Sequence, residues 1–299
     1  MTTVKNTTPP KVSIGIPTYN RAHLLRRSIE SALGQAYPNI EILISDNAST
    51  DNTPDICRSY VNTYGSRIKY VRQSVNLGPT ANLSKVLEMA SGEFFMWLAD
   101  DDWMDQHLIE RCVECLRNNP SYAMAGGTVK YYDNNQFVRN GDIIRLEHDS
   151  PIKRFVNYYK KVSDNGVFYS LIRKSVIKSI TMENSLGFDW IFVGFVSFQG
   201  KIKIIDNVAL HRDISGAGDE NYYKRVITTL GIRKFIRIHI KHPHLIIGLN
   251  IIKFFARNKE MAINPIFKTL MLFYVFGLLC LKWEVPKFLP AKIAKRIYE

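Results

Sequence analysis

The chain has 299 residues, 46 % hydrophobic and 22 % charged, which fits a globular protein able to bury a sizeable core as one large domain or one domain plus an appendage. Its net charge of +13 is uneven: residues 224–299 carry 15 Lys and Arg against 3 Asp and Glu, net +12, while residues 1–223 carry 25 against 24, net +1. A nucleic-acid-binding protein places its basic surface on the folded module beside base-stacking aromatics or a recognition motif; here the basic tail is rich in Ile, Leu and Phe, which argues against nucleic acid and suits an anionic membrane surface.

Residues 1–11, MTTVKNTTPPK, read as a disordered lead-in without the apolar stretch of a signal peptide. Cys57, Cys112, Cys115 and Cys280 form neither a disulfide framework nor a paired zinc motif, so they read as thiols in a reducing compartment and the protein is expected in the cytoplasm. The apolar run 12–16, stopped by Pro17, predicts a strand. Leu24, Leu25, Ile29, Ala32 and Leu33 follow at helical spacing. Strands are expected at 40–45, 68–72 and 94–98, with helices at 53–64 and 80–90 between them, the first of these capped by Asp51 or Thr53. This βαβαβαβ order argues for an α/β fold with a mostly parallel sheet covered on both faces.

Beyond residue 105 a helix is expected to about Arg117, then a strand at 123–129, an irregular polar stretch at 133–149, helices at 151–161 and 189–198, and a strand at 201–205. The compact domain is expected to span 12–223, followed by a helical, basic and apolar extension over 224–299. In the extension Ile232, Phe235, Ile236 and His239 share one helical face. Of its two apolar runs, 245–255 is broken by Lys253 and 269–281 is uncharged but only 13 residues long. A membrane-spanning helix needs ~20 residues, so both runs are expected to lie on a membrane surface or pack on protein rather than cross.

Three polar clusters fall at strand ends: Pro17-Thr18-Tyr19-Asn20-Arg21, the turn-forming run from Asp46 to Asp51, and Asp100-Asp101-Asp102. In an open parallel sheet ligands bind at the carboxyl ends of the strands, so the topology gathers Thr18, Asp46 and Asp101 around one crevice. Three adjacent carboxylates repel one another unless a cation compensates, and oxygen-only ligands suit Mg²⁺ or Mn²⁺ with open positions for substrate phosphates. The plainer alternative is a solvated acidic turn before a helix. The fitting chemistry is recognition of a nucleoside diphosphate, with Asp46 receiving a base N–H or ribose hydroxyl and Asp51 acting as a cap. Neither G-x-G-x-x-G nor G-x-x-x-x-G-K-[ST] occurs, which argues against a Rossmann dinucleotide enzyme and a P-loop NTPase.

IPTYNR after the first strand, SDNASTDNT after the second, NLGPTANLSKVLEMASGEF before the fourth and LADDD at its end together resemble family 2 glycosyltransferases of the glycosyltransferase-A fold. The resemblance is close over residues 11–105 and loose over 106–215. It implies a Rossmann-like fold and inverting, metal-dependent transfer of a sugar from a nucleoside diphosphate sugar to an acceptor hydroxyl, usually in building a surface polysaccharide.

Carried over by position, Pro17, Thr18, Asn20, Arg21, Asp46, Asn76, Gly78, Asn82 and Asp100 fall among the nucleotide-sugar contacts. Asp101, followed by Asp102, is the implied ligand of Mn²⁺ or Mg²⁺. Asp189 in Gly-Phe-Asp-Trp is the implied general base, and His211 and Arg212 the groups reaching the pyrophosphate. Ala99 stands where many members carry the first acid of the metal motif, and Phe188 where an acid often precedes the base. The Q-x-x-R-W signature of processive synthases is absent. Single-sugar addition to a lipid-linked glycan, on the inner face of the cell membrane, is therefore the expectation. The alternatives are a metal-dependent sugar nucleotidyltransferase, disfavoured by the lack of glycine between Gly15 and Gly34, and a catalytically silent membrane scaffold that binds nucleotide sugar.

Overall fold

The structure is a computed structural model describing residues 8–178, 180–214, 241–261 and 263–288. The start of the lead-in, the boundary at Tyr223 and the face formed by Ile232, Phe235, Ile236 and His239 lie outside the described residues. The chain runs β1 (Val12–Thr18), α1 (Ala22–Leu33), β2 (Ile40–Asp46), α2 (Thr53–Tyr64), β3 (Ile68–Arg72), α3 (Pro79–Met89), β4 (Phe94–Trp97), β5 (Trp103–Met104) and α4 (Leu108–Asn118). It continues with β6 (Tyr122–Asp133), β7 (Gln136–Asn140), α5 (Pro151–Lys161), β8 (Leu171–Arg173), α6 (Phe188–Gln199), β9 (Lys201–Asp213), α7 (Pro243–Arg257) and α8 (Pro265–Leu279).

One sheet of nine strands has the order β3-β2-β1-β4-β8-β6-β9-β5, with β7 added beside β6. β1 to β4 are parallel, β8 runs against both β4 and β6, and β6 and β9 are parallel to each other. The expected α/β fold with a mostly parallel sheet is what forms. The stretch expected to be irregular, 133–149, contains β7, and β9 extends well beyond residue 205. Its reach matters because β5, directly after the aspartate triplet, pairs with β9 through Trp103 and His211.

Side chains alternate between two cores, as strand geometry requires. Ile14, Ile16, Ile42, Ile44, Phe94 and Met96 face α1, α2 and α4, while Leu43, Phe95 and Trp97 face α3, α5 and α6. Both faces are covered, so these strands read as continuous apolar runs. Gly15 lies under α3, where a Cβ would stand 2.8 Å from Val86 and 3.0 Å from Phe95. Only a glycine lets that helix sit this close to the sheet.

The expected C-terminal helical extension is present, and its two described helices pack against the domain. Ile247, Ile251 and Phe255 of α7 and Met271, Leu272, Val275 and Leu279 of α8 join the core that contains α6. The 13-residue apolar run also proves to be part of a longer helical segment. From Pro265 to Glu284 the backbone stays helical for 20 residues with a mean hydropathy of 1.6, long and apolar enough to cross a membrane by length and composition. The sequence run looked too short because the helix begins before it at Pro265 and continues past it through Cys280–Glu284.

Candidate active site

The parallel register assembles the crevice. Thr18 pairs with Asp46, Asp46 pairs with Arg72, and Gly15 pairs with Trp97. Three residues beyond that last pair, Thr18 comes level with Asp100, whose carboxyl lies beside the Thr18 hydroxyl, the Tyr19 N–H and Arg21. Pro17 sits opposite Ser45 one step back along the strands.

The loops after β1 and β2 clasp each other. The Asn20 N–H donates to Ser49 Oγ at 2.9 Å and Asn20 Oδ1 accepts the Thr50 N–H at 2.7 Å. Asn20 and Ala48 take left-handed backbone with φ of 52° and 64°, a conformation asparagine tolerates and alanine rarely adopts. The residue at the N-cap of α2 is Asn52, with no side-chain cap bond. Asp51 instead accepts the Thr53 N–H at 3.0 Å and the Ala22 N–H at 3.1 Å, serving the starts of α2 and α1 together.

Asp46 is fully buried. Its Oδ1 accepts the Ser49 N–H at 2.8 Å and its Oδ2 accepts the Tyr70 hydroxyl at 2.9 Å, with Arg72 Nε at 3.5 Å. Asn76, Gly78 and Asn82 are brought to the same crevice as its frame. Asn82 Nδ2 donates to the carbonyls of Thr18 (3.2 Å) and Ser45 (3.0 Å), holding the ends of β1 and β2 together. Asn47 Nδ2 donates to Asn76 Oδ1 at 2.8 Å and to the Gly78 carbonyl at 3.1 Å, and Gly78 takes a φ of 88° at the start of α3.

Each aspartate of the triplet has a different environment. Burial, and then the neighbouring Asp101, push the Asp100 carboxyl up to about 7, the response expected of like charges without a compensating cation. Asp101 is half-buried, and its carboxylate makes no hydrogen bond or ion pair among the described residues. Asp102 is fully buried and consumed: Oδ2 accepts Arg212 Nε at 2.9 Å and Oδ1 accepts the Asp213 N–H at 3.2 Å. Burial opposes the Arg212 charge, but Asp102, Tyr169 and Tyr131 together outweigh it and leave the guanidinium pKa well above its ordinary value.

Two residues of α1 hold the turn. Ser28 Oγ donates to the carbonyls of Ala99 (3.0 Å) and Asp102 (2.8 Å), while Arg27 donates to the Asp101 carbonyl and to Asp213 Oδ2 (2.9 Å) and lies 4.0 Å over the Trp103 ring. His211 is fixed in turn, with Nε2 at 2.8 Å from Asp105, Nδ1 at 3.1 Å from the Tyr132 hydroxyl and its ring stacked on Trp103. Among the described residues no three His, Cys, Asp or Glu converge as a metal cage. The oxygen-only donors of Asp100 and Asp101 are of the kind that a hard divalent cation takes.

Asp189 opens α6 behind Gly187, whose φ of 79° makes the left-handed entry to the helix. Asn165 Nδ2 donates to Asp189 Oδ2 at 2.8 Å, and the Tyr158 hydroxyl donates to Asn165 Oδ1 at 2.7 Å. Burial raises the Asp189 pKa, while the Asn165 bond and the helix-start N–H groups oppose the rise. Tyr169 ties this residue to the triplet. Its buried phenol feels the charges of Arg212, Asp102, Asp101 and Asp189, and Arg212 lies 4.2 Å over its ring.

Sequence reading missed Arg27, Asn165 and Tyr169, which carry no motif; Trp103 follows the triplet directly and was within reach. Two hollows of about 520 and 530 Å³ are lined by none of these residues.

The fold has known counterparts. Residues 13–181 match the family "Glycosyl transferase family 2". The chain is 31 % identical over 171 residues to the GalNAc(5)-diNAcBac-PP-undecaprenol beta-1,3-glucosyltransferase of Campylobacter jejuni, covering 57 % of this chain and 54 % of that protein. It is 28 % identical over 178 residues to the glycosyltransferase GlyA of Streptococcus pneumoniae, covering 59 % of this chain and 24 % of that one. The chain thus spans about half or less of the length of these relatives.

Among solved structures, the mannosyltransferase PcManGT of Pyrobaculum calidifontis, in complex with GDP-Man and Mn2+, superposes with a TM-score of 0.62 at 17 % identity over 97 % of this chain and 74 % of that one. S. aureus TarS 1-349 in complex with UDP-GlcNAc gives 0.56 at 16 % identity, over 96 % and 86 %. At such identities the structures speak for the fold alone. The family match covers more than half of the chain, and the protein belongs to glycosyl transferase family 2.

Proposed function

We propose that this protein transfers a single sugar, with inversion, from a nucleoside diphosphate sugar to a hydroxyl of a lipid-linked glycan in surface polysaccharide synthesis, at the cytoplasmic face of an anionic membrane. The observation that carries the reading is the combination of a carboxylate at Asp101 that is unengaged among the described residues with a raised, asparagine-held carboxylate at Asp189, both within electrostatic reach of Tyr169. A raised pKa suits a group that must take a proton near neutral pH. The lipid-linked acceptor is supported by the name of the Campylobacter relative, and nucleotide sugar by those bound to PcManGT and TarS.

In this reading Thr18, Asn20, Arg21 and the buried Asp46 receive the base and ribose, on a floor fixed by Asn76, Gly78 and Asn82. Asp101, beside Asp100, would hold Mn²⁺ or Mg²⁺, which supplies positive charge against the departing diphosphate. Asp102 acts by keeping Arg212 in place, with His211 braced beside it. Asp189 draws the proton from the acceptor hydroxyl as its oxygen attacks the anomeric carbon and the nucleoside diphosphate leaves from the opposite face. Nearby Arg212 adds positive charge on the side of the triplet.

The test is calorimetric titration of UDP, GDP, CDP and dTDP with and without Mn²⁺, followed by turnover of the matching donor. Binding of one nucleotide only with metal, and release of nucleoside diphosphate, is expected. Release of pyrophosphate instead would make the protein a nucleotidyltransferase. Asp189→Asn should lower kcat by about 10²–10⁴ with donor binding retained; undiminished transfer would remove Asp189 from the base role.

A further inference from the structure

α8 presents opposite faces of opposite kinds. Met271, Leu272, Val275 and Leu279 are buried against the domain. On the other side Ile266, Phe267, Leu270, Phe273, Tyr274 and Leu281 stand 49–73 % exposed, at the spacing of one helical stripe. Gly277 lies on the same stripe, and a Cβ there would meet nothing within 4 Å. A continuous exposed apolar stripe of this length marks an interaction surface.

Two lysines of the helical segment are turned away from the stripe, while Lys160 Nζ lies 5.6 Å over the Tyr274 ring. Lys268 Nζ donates to the Asn258 carbonyl at 2.6 Å, and Lys282 Nζ to the Val162 carbonyl at 2.8 Å. Glu284 accepts the N–H groups of His244 (3.1 Å) and Leu245 (3.2 Å), fastening the end of the helical segment to the start of α7. A segment packed along one face and fastened at its end is poorly placed to leave the domain and cross a bilayer, although its length allows it. The stripe can lie flat in the interface instead, with Trp283 near its end and in a stretch of sequence, 224–299, that carries a net charge of +12.

We infer that the exposed stripe of α8 docks this enzyme, lying in the plane of the interface, on an anionic lipid surface. The inference rests on the proposed lipid-linked acceptor for its purpose but not for its observations. It gives the active site a fixed seat: Lys282 holds the Val162 carbonyl, three residues before the Asn165 that braces Asp189. The site would therefore sit close to the surface in which a lipid-linked acceptor is anchored.

The test uses the full chain, mixed with vesicles of phosphatidylcholine alone or with phosphatidylglycerol added, and the variants Leu270→Glu and Phe273→Glu. Co-sedimentation with the anionic vesicles is expected, with release by alkaline carbonate. Each variant should weaken it on the order of tenfold, since a carboxylate cannot enter the apolar interface. Thermal stability and nucleotide binding should stay unchanged because both side chains are exposed, so loss of docking is separable from failure of the transferase reading. Vesicle binding unchanged in both variants would overturn the inference. So would resistance to carbonate, which marks a spanning helix, or a vesicle-independent dimer that the variants dissociate.

Discussion

Asn165 Nδ2 donates to Asp189 Oδ2 across 2.8 Å, and the bond is directional because Tyr158 fixes the other end of the amide at 2.7 Å. The Tyr158 donor makes Asn165 Oδ1 the acceptor and presents the NH₂ group to the carboxylate. The bond favours ionised Asp189, while burial favours the protonated form.

Removing that amide should move the activity profile. A general base works deprotonated, so the rate rises with pH through the Asp189 pKa. Asn165→Ala takes away a bond to the charged form and should shift the acidic limb of kcat/KM upward by about one unit. The pH profile of the variant checks this: an unmoved limb with lowered kcat would assign Asn165 a packing role only.

Asp101→Asn should separate metal from fold. Its carboxylate has no partner to lose among the described residues, so melting temperature should hold. Mn²⁺-dependent nucleotide affinity should fall by on the order of a hundredfold, as loss of an oxygen ligand to a hard cation implies. Titration with and without Mn²⁺ reads both arms, and unchanged metal dependence would move the ligand role to Asp100.

Arg212→Ala should do the reverse. It leaves Asp102, fully buried, as a carboxylate without its ion-pair partner, and breaking such a pair costs about 3–5 kcal/mol. Denaturant unfolding checks the loss. Unchanged stability with weakened diphosphate binding would instead return Arg212 to direct contact with the pyrophosphate.

A second buried carboxylate sets acid stability. Glu41 accepts from Ser13 Oγ, Ser91 N and Ser91 Oγ at 2.7 Å each and from Lys69 Nζ at 3.0 Å. Burial works to raise its pKa, but these bonds win and hold it at about 2, below the ordinary 4.5. The folded state therefore binds this proton less readily than the unfolded one. The stabilisation is complete above pH 4.5 and lost as pH falls towards 2. Because Lys69 is half exposed, the contribution is on the order of 2 kcal/mol. Glu41→Gln should flatten stability against pH across that window in chemical denaturation.

The sheet and the strand-end crevice were legible because they rest on local signals. Apolar runs alternate with amphipathic helices, and the polar clusters after Thr18, Asp46 and Trp97 fall where a parallel sheet places ligands. Less could be read where partners are distant. Asp102 and Asp101 are equivalent in sequence, and only Arg212, 110 residues away, makes one structural and leaves the other open. Asn165 looks like a turn residue until α6 brings Asp189 against it. The span of α8 was underestimated because Lys268 and Lys282 end the uncharged run, although both lie within the helical stretch and donate to the Asn258 and Val162 carbonyls outside it.

The distance along the chain between Asp102 and Arg212 also bears on folding order. A contact across 110 residues closes a long loop, and such contacts form after local ones. During synthesis the crevice built from β1 to β4 can form well before β9 has been made, yet the triplet then lacks its guanidinium. The Asp102–Arg212 pair is therefore complete only once most of the chain exists. In refolding, the burial of Trp103 against His211 should report this closure as a late fluorescence phase.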